Sequence, residues 1–400
     1  MRLTQVTIEN FRCFEHMEMD LDPHLNVIVG NNGSGKTSVL DAIVIGLFAE
    51  GAGNSRIEFA NVDDLRVDAQ GPTNVAIDAD DFVNSVELLQ LDGEKGWGLW
   101  GRRLSTNQFG ELVRAYYRAS RSRRDLVKQP SQPMESAGWF DASSGYQESE
   151  RWFYDREVEE LRLKNELEDL SITLAPLDAV RKAISRHVVP QAKSIRFTSR
   201  PPHVLKVNWR ENGDSQSLAV SQLSDGYKNM LALVMDFARR LAEANPHLDN
   251  PLDAEAILLI DEIELHLHPK WQQTVLGDLR KTFPNTQIIV STHSPQVLTT
   301  VESKHIRILK DGKVFAAPPA TYGAEASRLL ETVLGVPVRP PNNENADNIA
   351  KVHNLIIEGK IEEAERLLEK LREWSQGEEP AVVEAEMAIE NKKWEAEIDG

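Results

Sequence analysis

Four hundred residues, 41% hydrophobic and 27% charged, describe a globular chain longer than one average domain, so a core domain carrying an insertion or an appended piece is expected. A formal charge of −18 excludes wrapping nucleic acid over the whole surface, because most of that surface would repel the phosphate backbone. A single cysteine, Cys13, excludes an internal disulfide, no apolar run is long enough to span a bilayer, and the opening MRLTQVTIENFRCF lacks the order of a signal peptide; a cytoplasmic protein with no membrane partner is expected.

Residues 2–9 and the run HMEMDLD alternate in part and predict a hairpin that Pro23 closes. Next comes LNVIVGNNGSGKTSVL, Leu25 to Leu40, an apolar β-branched strand, a glycine turn and the start of a helix. The spacing from Gly30 to Gly35-Lys36-Thr37 is that of a phosphate-binding loop. Its glycines let successive N–H groups point inward at a polyanion, and the helix behind aims its positive dipole end at the same place. Lys36 is expected on the β- and γ-phosphates of ATP and the Thr37 hydroxyl on Mg²⁺, with Asn31, Asn32, Gly33, Ser34, Gly35 and Ser38 completing the nucleotide contacts.

The helix SVLDAIVIGLFAE ends at GAGN, and Asn74 to Trp100 reads as a β-meander turning at Asp92-Gly93. Between Arg102 and Lys128 eight basic residues face only Glu111 and Asp125, a candidate phosphate-contacting patch for nucleic acid. LVRAYYRA, 112–119, predicts another buried strand. Then ERWFYDREVEELRLKNELEDL and APLDAVRKAISRHVV predict helices of an insertion, and strand chemistry returns over 194–220.

Ser221 to Lys228, SQLSDGYK, precedes a strongly periodic helix. Ser224 and Asp225 suit its N-cap, Gly226 permits close approach, and the helix start offers a second anion site, expected to take the γ-phosphate held by a second copy. AILLIDE, 256–262, is an apolar strand ending in two carboxylates where open α/β sheets place ligands: Asp261 for Mg²⁺, Glu262 to orient the attacking water. A third strand, QIIVS, delivers His293 toward the γ-phosphate or that water. After VPVRPPNNEN the tail predicts three acidic helices with one stripe through Ile361, Ala364, Leu367, Leu368 and Leu371.

Together these motifs resemble the ABC-type ATPase heads of the Rad50, SMC and RecF class: GNNGSGKT, LSDGYK in place of LSGGQ, AILLIDE, IELHLHP and THS stand in that class's order. The opening IENFRCF resembles its N-terminal strand motif, which adds Arg12 to the nucleotide contacts. LSDGYKNMLALVMD, LLIDEIELHLHPKWQ and STHSPQVL, with YYRASR and WFYDRE, resemble stand-alone bacterial ATPases of Septu-type and retron-associated antiphage systems. The resemblance, over about residues 1–310, implies an α/β ABC-ATPase head, a mixed sheet with an antiparallel β subdomain. With the helical insertion and the acidic helical tail read from the residues, the chain divides into an N-terminal lobe over 1–129, the insertion over 130–192, a C-terminal lobe over 193–334 and a linker with an acidic tail over 335–400, either a solvated helical hairpin packed on the ATPase or a docking module for a protein partner.

As function the resemblance implies a Mg²⁺-dependent ATPase that dimerises around ATP, alone or within a higher oligomer, and controls a separately encoded effector of the HNH nuclease class. A DNA-repair ATPase acting directly on DNA is the alternative. His266 and His268 are expected to pack in the loop after Glu262 rather than bind metal, and the glutamine loop of the class is sought at Gln108 or Gln129, with Arg121 in the same region.

Overall fold

The computed structural model describes residues 2–48, 54–56, 73–80, 82–91, 98–103, 112–118, 142–185, 192–201, 203–211 and 214–398. It divides into Met1–Leu334 and Gly335–Gly400. In the first unit, β1 (Leu3–Phe11) and β2 (Phe14–Asp20) pair as an antiparallel hairpin, and β3 (Leu25–Gly30) runs into α1 (Lys36–Phe48). Strands β4 (Asn54–Arg56), β5 (Thr73–Ala79), β6 (Phe82–Leu91) and β7 (Gly98–Arg103) join the hairpin in one antiparallel sheet of order β2-β1-β5-β6-β7-β4. The expected Asp92-Gly93 turn lies outside the described residues.

After β8 (Val113–Tyr117) come the insertion helices α2 (Ala142–Glu166) and α3 (Ala175–Ala183). A three-stranded antiparallel sheet follows, β9 (Ala192–Phe197), β10 (Leu205–Glu211) and β11 (Asp214–Ala219), and then α4 (Asp225–Ala244). The remaining elements are β12 (Ala256–Ile260), α5 (Pro269–Gln272), α6 (Val275–Thr282), β13 (Thr286–Thr292), α7 (Pro295–Leu298), β14 (Ile306–Lys310), β15 (Lys313–Ala316) and α8 (Ala326–Thr332).

The central sheet has the order β15-β14-β3-β13-β12-β8, parallel except for the edge strand β15. Every residue of β3, β12 and β13 is buried, as a parallel sheet covered on both faces requires. Side-chain alternation divides these strands between two cores. Val27, Val29, Leu258, Ile260, Ile288 and Val290 pack with α3 and α4, whereas Ile28, Ile257, Leu259 and Ile289 pack with α1 and the antiparallel sheet.

Buried polar side chains tie the layers together. Gln287, the first residue of QIIVS, donates Nε2 to the carbonyls of Leu3 and Asp22 at 2.8 Å each and accepts the Leu3 N–H at 2.8 Å, fastening the opening strand to the central sheet. Asp236 of α4 accepts from Tyr117 Oη (2.7 Å), Ser149 Oγ (2.8 Å), Arg239 (3.0 Å) and Arg240 (2.8 Å), joining α4, β8 and α2. Burial pushes the Asp236 carboxyl up, but the two arginines beside it prevail and hold it below the usual range.

The basic run is not uniformly a surface patch. Arg114 is buried and donates to the Leu47 carbonyl at 2.7 Å, closing a chain of α1, and Arg118 is paired with Asp41 at 2.8 Å. Both follow from their place on and just after a strand of the central sheet, where side chains point into a layer. The residues from 119 to 128 lie outside the described ones.

The second unit is a helical bundle of α9 (Glu344–Ile357), α10 (Ile361–Ser375) and α11 (Pro380–Ile398). Its core joins Ile349, Val352 and Leu355 with Ala364, Leu368 and Leu371 and with Val382, Ala385 and Ile389, while Ile361 and Leu367 pack at its edge. Ile357, Trp374, Met387 and Trp394 are left exposed. Among the described residues no helix is long and apolar enough to cross a membrane.

Candidate nucleotide site

The phosphate loop leaves the buried strand β3 at Gly30 and enters α1 at Lys36. Gly35 has φ +97°, and a Cβ there would lie 2.5 Å from the Phe14 ring, so only glycine fits. Lys36 folds back across the loop and donates Nζ to the carbonyls of Gly30 (3.0 Å) and Asn31 (3.1 Å). Burial pushes its ammonium pKa down, opposed by Asp261, Glu262 and Glu264, whose charges therefore lie within electrostatic reach. Asn31, Asn32, Gly33 and Thr37 are exposed along the loop; Ser34, Gly35 and Ser38 are half-buried. The Ser34 hydroxyl is buried with no hydrogen-bond partner among the described residues.

The carboxylate strand β12 lies one strand away from β3, with β13 between them, and this order brings distant residues together. Thr37 Oγ1 donates to Asp261 Oδ2 at 2.9 Å across 224 positions of sequence. Asp261 Oδ1 accepts from Ser291 Oγ at 2.5 Å, and the same serine oxygen accepts the Glu262 N–H at 2.8 Å. Glu262 itself sits at φ +50°, a left-handed conformation that costs energy for a residue with a Cβ and turns its side chain off the line of the strand. His293 follows β13; its N–H donates to Glu264 Oε1 at 2.6 Å, and the Thr292 hydroxyl donates to Glu264 Oε2 at 2.8 Å. Burial, followed by the Lys36 charge, pushes the His293 imidazole below its ordinary pKa, so it is neutral at pH 7.

Arg12, at φ +48°, is held beside the first turn of α1: its Nη1 lies 2.9 Å from Asp41 and 3.4 Å from Ser38 Oγ. Asp41 also accepts from Arg118 (2.8 Å) and Tyr116 Oη (3.0 Å), and burial with that charge pushes the tyrosine pKa well up, keeping it a donor. Sequence reasoning missed Asp41, Ser291 and Glu264. A lone acid in an otherwise apolar helix was the available signal for Asp41; for the other two there was none beyond their nearness to named motifs.

Ser224 stands at the N-cap of α4, with Asp225 in its first turn; the Ser224 hydroxyl makes no capping bond, which leaves the exposed helix start open to an anion. Gly226 is pressed against the loop after Glu262: a Cβ there would lie 2.3 Å from the His266 carbonyl oxygen. Tyr227 adds an edge-on stack between Trp209 and Trp271, with centroids at 4.5 and 3.9 Å. Among the described residues no hydrogen bond or ion pair joins Ser224, Asp225 or Gly226 to the phosphate loop. His266 and His268 are exposed rather than packed, because the left-handed turn at His266 brings its carbonyl, not its ring, against α4; His268 accepts from the Lys270 N–H at 3.3 Å. Gln108, Gln129 and Arg121 lie outside the described residues.

The donor set fits a magnesium nucleotide. A glycine loop at a helix start, an ammonium and a buried hydroxyl suit phosphate oxygens, and the Thr37–Asp261 pair offers the hard oxygen ligands that Mg²⁺ prefers. Residues 25–299 match the family model described as "AAA domain, putative AbiEii toxin, Type IV TA system". The chain is 29% identical to "Retron Ec83 probable ATPase" of Escherichia coli over 100% of this chain and 88% of that one. It is 23% identical to "Septu protein PtuA" of Bacillus thuringiensis over 84% of each. Among solved structures, "Crystal structure of the SmcHead bound to the C-winged helix domain of ScpA" aligns with TM-score 0.48 and 17% identity over 79% of this chain and 98% of that chain.

Proposed function

The chain belongs to the AAA-domain family whose model spans residues 25–299, and from that premise we propose that it is an antiphage ATPase working as an ATP-gated dimeric switch on a separately encoded effector. Its relatives are named as a retron probable ATPase and a Septu protein, which supports the defence setting. The observation that carries the catalytic reading is the Thr37–Asp261 hydrogen bond, which puts the phosphate loop and the carboxylate strand in one site.

In this reading the loop N–H groups, Ser34 and Lys36 bind the β- and γ-phosphates, and Arg12 borders them at Ser38. Thr37 and Asp261 hold Mg²⁺, which when bound neutralises phosphate charge. Glu262 orients and polarises the attacking water, and neutral His293 offers a ring nitrogen to the γ-phosphate or to that water. The open start of α4, Ser224 to Gly226, closes over the triphosphate held by a second copy. The tail is the docking element for the effector, with an HNH nuclease as the expected class. Residues 335–400 carry 16 acidic and 8 basic side chains, a net −8, beside exposed Trp374 and Trp394, which suits a basic partner surface.

The test is Glu262→Gln with Mg-ATP. Loss of turnover together with an ATP-dependent dimer in light scattering supports the engine; turnover at the wild-type rate overturns it. Co-expression with the neighbouring open reading frame then tests the effector, and neither complex nor phage protection would remove it. Direct action on DNA is the weaker reading, since Arg114 and Arg118 of the basic run are turned to Leu47 and Asp41. Salt-dependent duplex binding by the isolated protein would restore it.

A further inference from the structure

Glu264 lies two residues past Glu262, and its half-buried carboxylate reaches forward to the other strand. Oε1 takes the His293 backbone N–H at 2.6 Å and Oε2 takes the Thr292 hydroxyl at 2.8 Å. That hydroxyl in turn accepts the Ser294 N–H at 3.0 Å, so one carboxylate fixes three consecutive residues after the strand core. From the opposite side Gln272 Oε1 accepts from Ser294 Oγ at 2.6 Å, and the same serine oxygen caps α7 through the Val297 N–H. The segment carrying the histidine is thus gripped between two side chains that both come from the stretch between β12 and α6.

A carboxylate bonded to a backbone N–H is a strong, directional contact because one partner carries full charge. It sets the backbone from which the imidazole projects, and a misplacement of about 1 Å at a reacting group is enough to lower a rate roughly a hundredfold. A solvated surface glutamate would not engage both of its oxygens on adjacent residues of another strand.

We propose that Glu264 is the positioning residue for His293: it does not touch the nucleotide, but its two hydrogen bonds to Thr292 and His293 hold the imidazole in the orientation that hydrolysis needs. The proposal rests on the reading of His293 given above. The Glu264 hydrogen bonds act on turnover, since the phosphate loop shares neither of them, and only the Glu264 charge reaches Lys36.

The experiment is a set of full-length variants assayed for ATP turnover. Glu264→Ala lowers kcat by about 10- to 100-fold while the KM for ATP stays within about threefold. Glu264→Gln, which keeps an oxygen for the His293 N–H and an amide that the Thr292 hydroxyl can rotate to accept, recovers to within about fivefold of wild type. Thr292→Val, which removes one of the two Glu264 bonds together with the acceptor of the Ser294 N–H, falls between, and it keeps the test alive should the alanine variant not fold. The deciding measurement is the cycle with His293→Ala: the double variant is no slower than His293→Ala alone, because the glutamate acts through the histidine. Multiplying losses, a KM effect as large as the kcat effect, or wild-type turnover in Glu264→Ala would overturn the proposal and leave the ATPase reading standing. Absence of turnover in the wild-type protein would sink that reading and this proposal with it.

Discussion

Replacing Asp236 with Ala tests how the middle of α4 is held against β8 and α2. Its side chain is 3% exposed and is the common acceptor for Tyr117, Ser149, Arg239 and Arg240, the two arginine side chains being themselves only 11% and 10% exposed. Removing it takes the shared acceptor from two largely buried cations and two hydroxyls, and because Arg239 keeps Glu243 at 2.7 Å the expected cost is about 3 kcal/mol, the low end for a broken buried pair, against about 0.3–0.5 kcal/mol for an exposed helix pair such as Lys392–Glu395. The assay is urea denaturation followed by tryptophan fluorescence, reading the midpoint at constant slope. The pH dependence has a definite sign. The folded carboxyl titrates below its ordinary value of 3.8, so its contribution is complete above that value and disappears as pH falls through the folded pKa. The gap between wild type and variant therefore holds from pH 8 to pH 5 and narrows only in stronger acid. A loss under about 1 kcal/mol at pH 7, or a gap that widens on acidification, would refute the account.

Gly226→Ala places a Cβ against the His266 carbonyl and shifts the helix start, so ATP-dependent dimerisation and turnover fall by about tenfold or more while ATP still binds the single chain; nucleotide titration and light scattering separate the two. Because burial and Lys36 push His293 down, the imidazole is neutral at pH 7, and the acid limb of the kcat/KM profile lies below about 6.5; a limb above pH 7 would contradict the neutral role. Lys36→Ala removes the ammonium that spans the loop and weakens ATP binding by about tenfold or more, measured by calorimetry. A chain ending at Leu334 keeps ATP turnover and loses capture of the co-expressed effector; retention of the complex would move docking away from the tail.

The phosphate loop and the strands LNVIVG, AILLI and QIIVS were legible because their information is local. Glycine spacing dictates a turn, and unbroken β-branched runs dictate strands buried on both faces. His293 could be placed at a strand end for the same reason. Asp261 and Glu262 could be placed at a strand tip, but not the 2.9 Å bond from Thr37 to Asp261.

What the sequence by itself determined was each element and the chemistry at its tip. Only the tertiary structure decided which tips meet, since β13 slots between β3 and β12 and so sets Ser291 on Asp261 and Glu264 on His293. Arg114 and Arg118 make the same point: a basic run reads as a surface, and only the packing of β8 against α1 turns two of its members inward onto Leu47 and Asp41. The physical reason is that a side chain's partner depends on strand order and face, properties of the whole sheet that no short window of sequence contains.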